Sequence, residues 1–146
     1  MEMSRNDFQQ LAEERLGDAQ ALFNAGRFGC AYYIAGYAVE CALKACIAKK
    51  TKAESFPERD AQKYYSHELE KLLGFTGLED EIKPGDQDGT DAGERKQKLR
   101  ENWIIVRSWS ETSRYESERY APEAGKILEA IKEPQYGILT WLKNRW

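Results

Sequence analysis

The chain has 146 residues, of which 41% are hydrophobic and 32% charged, and its formal net charge is −3. The length suits one domain, residues 1–146, large enough to bury a core without staples, and the composition excludes a disordered chain. The negative balance argues against general coating of nucleic acid, which depends on neutralised phosphates, but leaves room for a local basic patch.

The first helix is predicted from about Arg5 to Ala25. Phe8, Leu11, Ala12, Leu16, Ala19, Leu22 and Phe23 recur at i, i+3, i+4 and i+7, and Gly26 supplies the stop. Met1 to Asp18 is charged and helical in pattern, unlike a signal peptide with its basic tip and apolar run. A turn at Gly26-Arg27-Phe28-Gly29 is short enough to make the next helix an antiparallel neighbour.

The second helix is predicted from about Phe28 to Lys50. Ala31, Ile34, Ala35, Ala38, Ala42, Ala45 and Cys46 form a core stripe of mostly small residues. Gly36 costs about 1 kcal/mol against Ala inside a helix, so a closely packed neighbour is its expected reason. A second stripe carries Tyr33, Tyr37, Glu40 and Lys44. Two charges in the most apolar stretch argue against a membrane span, since each would cost roughly 2.5–3.5 kcal/mol at a bilayer centre. Cys30, Cys41 and Cys46 all lie here. An odd count with no Cys-x-x-C pair predicts reduced thiols that pack as small hydrophobes. A reducing cytoplasm is the expected location.

After a break at Glu54-Ser55-Phe56-Pro57, Ser66 is read as the N-cap of a short helix, about His67 to Leu73, that stops at Gly74. Pro84 to Gly93 reads as a loop. Its Asp86, Asp88 and Asp91 do not make an EF-hand, because the sixth place falls on Asp91 rather than Gly and the twelfth on Gln97 rather than Glu. A fourth helix is expected from about Glu94 to Thr112, with Leu99, Trp103, Val106 and Trp109 inward. Pro122 and Pro134 suit first helical positions, giving helices of about Pro122 to Lys132 and Pro134 to Lys143. No alternating strand pattern occurs. The fold class is therefore all-α: an antiparallel up-and-down bundle of four to five main helices with short C-terminal helices.

His67 is the only histidine. That removes multi-histidine metal sites and most catalytic triads, so no metal and no cofactor is expected, and the lone imidazole itself reads as structural or surface. Charge is uneven: residues 58–91 are acidic and residues 95–120 basic. Lys96, Arg100 and Arg107 fall near one helical face, and Arg114 would extend it. Arg114-Tyr115 and Arg119-Tyr120 set guanidinium beside aromatic rings, a pairing suited to phosphate and base. Glu40 needs a cationic partner beyond an exposed neighbour at i+4, and Arg could bind it by two parallel hydrogen bonds. The expected ligand cleft gathers Tyr33, Tyr37, Glu40, Lys44, Arg107, Arg114 and Tyr115. A structural ion pair accounts for the same charges.

Read together, Gly26-Arg27-Phe28, the run Ala38-Val39-Glu40-Cys41-Ala42-Leu43-Lys44-Ala45, His67-Glu68-Leu69 with Leu72 and Leu73, and Arg114-Tyr115 resemble the HEPN family over roughly residues 5–132. The resemblance implies a helical bundle, often a dimer, in prokaryotic defence or toxin–antitoxin settings, frequently beside a small nucleotidyltransferase. Many members are metal-independent RNases that use an Arg followed after four to six residues by His. Here Arg59 precedes His67 with seven residues between, and no His follows any Arg of the fourth helix. The resemblance therefore implies a non-catalytic module: a homodimer binding a nucleotide, RNA or a nucleotidyltransferase partner. An RNase toxin with a degenerate site and a purely structural dimerisation domain are the alternatives.

Overall fold

The computed structural model describes residues 3–51, 66–83, 90–110 and 121–146, and among these it is helical with no strand. In chain order the helices are α1 (Arg5–Asn24), α2 (Phe28–Lys49), α3 (Leu69–Thr76), α4 (Asp91–Arg107), α5 (Ala121–Lys132) and α6 (Ile138–Lys143), with a 3-10 turn at Glu79–Glu81. Arg114, Tyr115, Arg119, Tyr120, Asp86 and Asp88 lie outside the described residues.

α1 begins with a capping box. Asp7 N–H donates to Ser4 Oγ at 3.1 Å, and Ser4 N–H donates back to Asp7 Oδ2 at 2.9 Å, satisfying two donors that a bare helix start leaves open. Gly26 follows the helix in the left-handed region, with φ of 78°, a conformation that costs a β-carbon dearly. The chain then turns straight into α2.

α2 is the centre of the bundle and packs against α1, α3, α5 and α6. Ala31, Ala35, Ala38, Ala42 and Ala45 are all fully buried. Small side chains on that stripe let neighbouring backbones approach closely. α2 is long and apolar enough to cross a membrane, yet most of its apolar window is buried inside the fold. Cys41 and Cys46 are buried as expected, but Cys30 is exposed, because it lies in the first turn of α2, before the helix runs under its neighbours.

Three helix boundaries differ from the sequence reading. α3 starts at Leu69 and continues through Gly74 to Thr76. Its stop is Gly77, which takes the left-handed conformation with φ of 77°. Ser66 is not the N-cap; its hydroxyl accepts from Glu68 N–H in a local turn, and Glu68 holds the cap position. α4 starts at Asp91, three residues earlier than read, because Thr90 Oγ1 accepts from Gly93 N–H at 3.0 Å. It ends at Arg107, so Trp109 and Ser110 are not helical. Pro134 starts no helix: α6 begins at Ile138 after Gly137. The Glu133 carboxylate accepts from the backbone N–H groups of Gln135 and Tyr136, which stabilises a turn there instead.

One contiguous cluster of buried side chains joins the helices, with Leu43, Leu72, Val106, Ile127, Ile131, Leu139 and Leu142 among its members. α4 packs on α5 and α6. Asn102 Nδ2 donates to the Tyr136 carbonyl at 2.8 Å, and Trp141 Nε1 donates to Glu81 Oε1 at 3.1 Å, so the chain end is held by polar contacts as well as by apolar packing.

Candidate functional site

Glu40 lies in the middle of α2 and is only 2% exposed. A carboxylate so placed must be paired, since transfer of an unpaired charge from water is prohibitive. Both of its oxygens have partners. Lys44 Nζ, one turn further along, donates to Oε2 at 3.1 Å, and His67 Nδ1 lies 3.0 Å from Oε1. The pair is therefore not an exposed i, i+4 contact: Lys44 is itself buried.

The third member, His67, comes from the segment just before α3, and its side chain is 51% exposed. It carries the polar cluster from the core to the surface. An ionised carboxylate only accepts, so the imidazole carries a proton on Nδ1, toward Glu40. That contact spans 27 positions in sequence.

His67 opens onto a cleft of about 450 Å³ lined also by Glu68, Glu70, Arg107, Trp109 and Ser110. Arg107, at the end of α4, lies 3.7 Å from Glu70 Oε1, and both side chains are half exposed. Its partner is thus on α3. Glu70 also accepts from Trp103 Nε1 at 2.7 Å, which anchors the carboxylate that faces Arg107. Trp109 forms the buried wall. Its ring stacks on Tyr33 with centroids 5.9 Å apart, and its Nε1 donates to the Tyr33 carbonyl at 3.1 Å.

The two tyrosines of the predicted stripe part company. Tyr33 supports Trp109. Tyr37 is half buried beside Cys41 on the side of Arg15 from α1, and burial, reinforced by Cys41 and Glu40, pushes its phenol up to about 12. Burial likewise pushes the Cys41 thiol up to about 12. Neither group is an ionised nucleophile at neutral pH.

Of the predicted site residues, Glu40 and Lys44 pair with each other, Tyr33 and Arg107 reach the same cleft through Trp109 and directly, and Tyr37 faces elsewhere. Arg114 and Tyr115 lie outside the described residues. The basic stripe of α4 does not serve one surface. Lys96 lines a cleft toward α6, whereas Arg100 and Arg107 line a notch toward α3. Reading the sequence for the site missed His67, Trp109 and Ser110. The signal for His67 was the need of Glu40 for a second partner.

The fold and cleft define an all-helical module whose central helix holds a buried, twice-paired carboxylate behind a charged opening. The HEPN domain family matches residues 6–143, nearly the whole chain, and the chain belongs to that family, a group of nucleotide-binding and RNase-like modules. No curated protein and no solved structure matches it.

Proposed function

We propose that this chain is a non-catalytic HEPN module of the prokaryotic cytoplasm that binds a nucleotide, working as a homodimer with a protein partner such as a small nucleotidyltransferase in a toxin–antitoxin or defence setting. The observation that carries the nucleotide reading is the cleft itself: His67, oriented by buried Glu40, and Arg107, held by Glu70, line one opening of a size suited to a small ligand. Arg offers parallel donors to a phosphate. The homodimer is supported by Ile104 and Ile105 on α4, 45% and 37% exposed, beside a notch floored by Leu73, Ile82 and Trp103.

A metal-independent RNase is the second reading. It is favoured by the presence of an Arg and a His in the same cleft although they are far apart in sequence. Against it stands the chemistry of in-line attack, which needs both a base and an acid tuned near neutral pH, while each chain has one imidazole. The test is equilibrium binding of ATP, AMP and a 12-nucleotide RNA, with the RNA then incubated in chelator and examined for fragments. Binding that is lost in Arg107→Ala and His67→Ala, with intact RNA, is the expected result. Fragments that vanish in His67→Ala would replace this reading with the RNase.

A further inference from the structure

At the opposite end of α4 lies a second cleft, of about 420 Å³, that shares no lining residue with the first. It is bounded by the N-terminal half of α4 and by the turn and chain end around α6. Arg95, Lys96, Arg145 and Glu81 supply its charges, and the side-chain amides of Gln135 and Asn144 add donors.

One of the three cations is already fixed. Arg145 Nε donates to Glu81 Oε1 at 2.7 Å and Nη2 lies 2.5 Å from the same oxygen. The guanidinium also sits over the Trp141 ring, 5.9 Å from its centroid. Glu81 is held in turn by Trp141 Nε1. The Arg145 guanidinium, with the Trp141 indole and the nearby Lys96 ammonium, keeps the Glu81 carboxyl below its ordinary range. The carboxylate is thus committed to Arg145. Arg95 and Lys96 remain, and among the described residues neither makes a salt bridge of its own. Among the described residues the cleft therefore holds three cations against one carboxylate, an excess of two. It also lies near the start of a 17-residue helix, where the backbone dipole favours negative charge.

We propose that this cleft is an anion site for phosphate groups, in which Arg95 and Lys96 grip a phosphate or pyrophosphate while Gln135 and Asn144 bond its outer oxygens. The phosphate can belong to a small phosphorylated molecule or to a nucleic-acid backbone; the chemistry is common to both. Rigid Arg145 and Trp141 form the floor, so the site is built before the ligand arrives. This inference does not rest on the nucleotide reading of the His67 cleft.

The probe is inorganic pyrophosphate, titrated into isotope-labelled protein and followed by two-dimensional NMR. The indole N–H of Trp141, bonded to Glu81, is the reporter. A saturable shift of that signal, weakened about ten-fold or more in Arg95→Glu/Lys96→Glu with the melting temperature retained, is the expected result. Asn144→Ala supplies an uncharged check and should weaken binding less. A second titration, with a 12-nucleotide oligouridylate, separates the sources: tighter binding than pyrophosphate at the same signal marks a nucleic-acid backbone, and weaker binding marks a small phosphate. No saturable shift at Trp141, a shift that survives the double charge reversal, or a response confined to His67 and Arg107 would overturn the proposal.

Discussion

The indole of Trp109 occupies the space that a β-carbon on residue 36 would need: one built on Gly36 would lie 2.2 Å from three atoms of the ring. Gly36 is the reason Trp109 can lie flat on α2, stack on Tyr33 and wall the His67 cleft.

Gly36→Ala should therefore destabilise the protein, although alanine is the better helix former. The propensity gain is about 1 kcal/mol, whereas forcing an extra carbon into a rigid contact typically costs about 1–3 kcal/mol. Urea denaturation should show a net loss, and tryptophan fluorescence of the folded variant should shift as Trp109 moves outward. A more stable variant with unchanged fluorescence would refute the packing account.

Removing Glu40 should be far worse than removing its whole ion pair. Glu40→Ala breaks a buried ion pair from one side, a loss of about 3–5 kcal/mol. Glu40→Ala/Lys44→Met removes both charges and should recover much of that loss. Urea midpoints of the two variants and of Lys44→Met decide it; a loss in the double variant equal to the sum of the two single losses would show that the pair is not coupled.

The cysteines should divide one against two. Cys30 is exposed, whereas Cys41 and Cys46 are buried with thiols pushed up to about 12 by burial. A thiol reagent at neutral pH should label one cysteine per folded chain and three in denaturant. Rapid labelling of Cys41 in the folded state would show that α1 opens from α2 readily.

Glu81 should make the fold acid-sensitive. Its carboxyl is lowered from the ordinary 4.5, chiefly by the hydrogen bond from Arg145. A group whose folded pKa is depressed adds stability above its unfolded pKa and loses it as pH falls through the folded value. The loss therefore falls below pH 4.5, and Glu81→Gln should flatten the melting-temperature profile in that window. An unchanged acid limb would place the sensitivity elsewhere.

Much of the bundle was legible in the sequence because local signals agreed with tertiary packing. Gly26, the apolar stripe of α1 and the alanine stripe of α2 marked the first hairpin almost to the residue. Glycine and proline misled where their local meaning was overridden. Gly74 reads as a stop, yet the helix continues through it, and a β-carbon there would meet Glu79 Oε1 at 3.3 Å. Pro134 reads as a helix start, but the Glu133 carboxylate capturing two backbone N–H groups favours a turn. For the site, Glu40 announced itself as a charge in an apolar helix. Its partner His67 did not, because the contact depends on where the chain returns after α2. Likewise, helical spacing groups Lys96 with Arg107, but cannot tell that the two ends of α4 face different neighbours.

The twice-paired carboxylate of Glu40 also constrains how such a chain can drift over generations. A change at Glu40 alone removes the carboxylate to which buried Lys44 donates, and a change at Lys44 alone leaves the carboxylate with His67 as its one described partner. Either single step is costly while the joint step is tolerable. Substitutions at these positions should accordingly travel together in descendants, with His67 free to vary only in lineages that have already lost the acid.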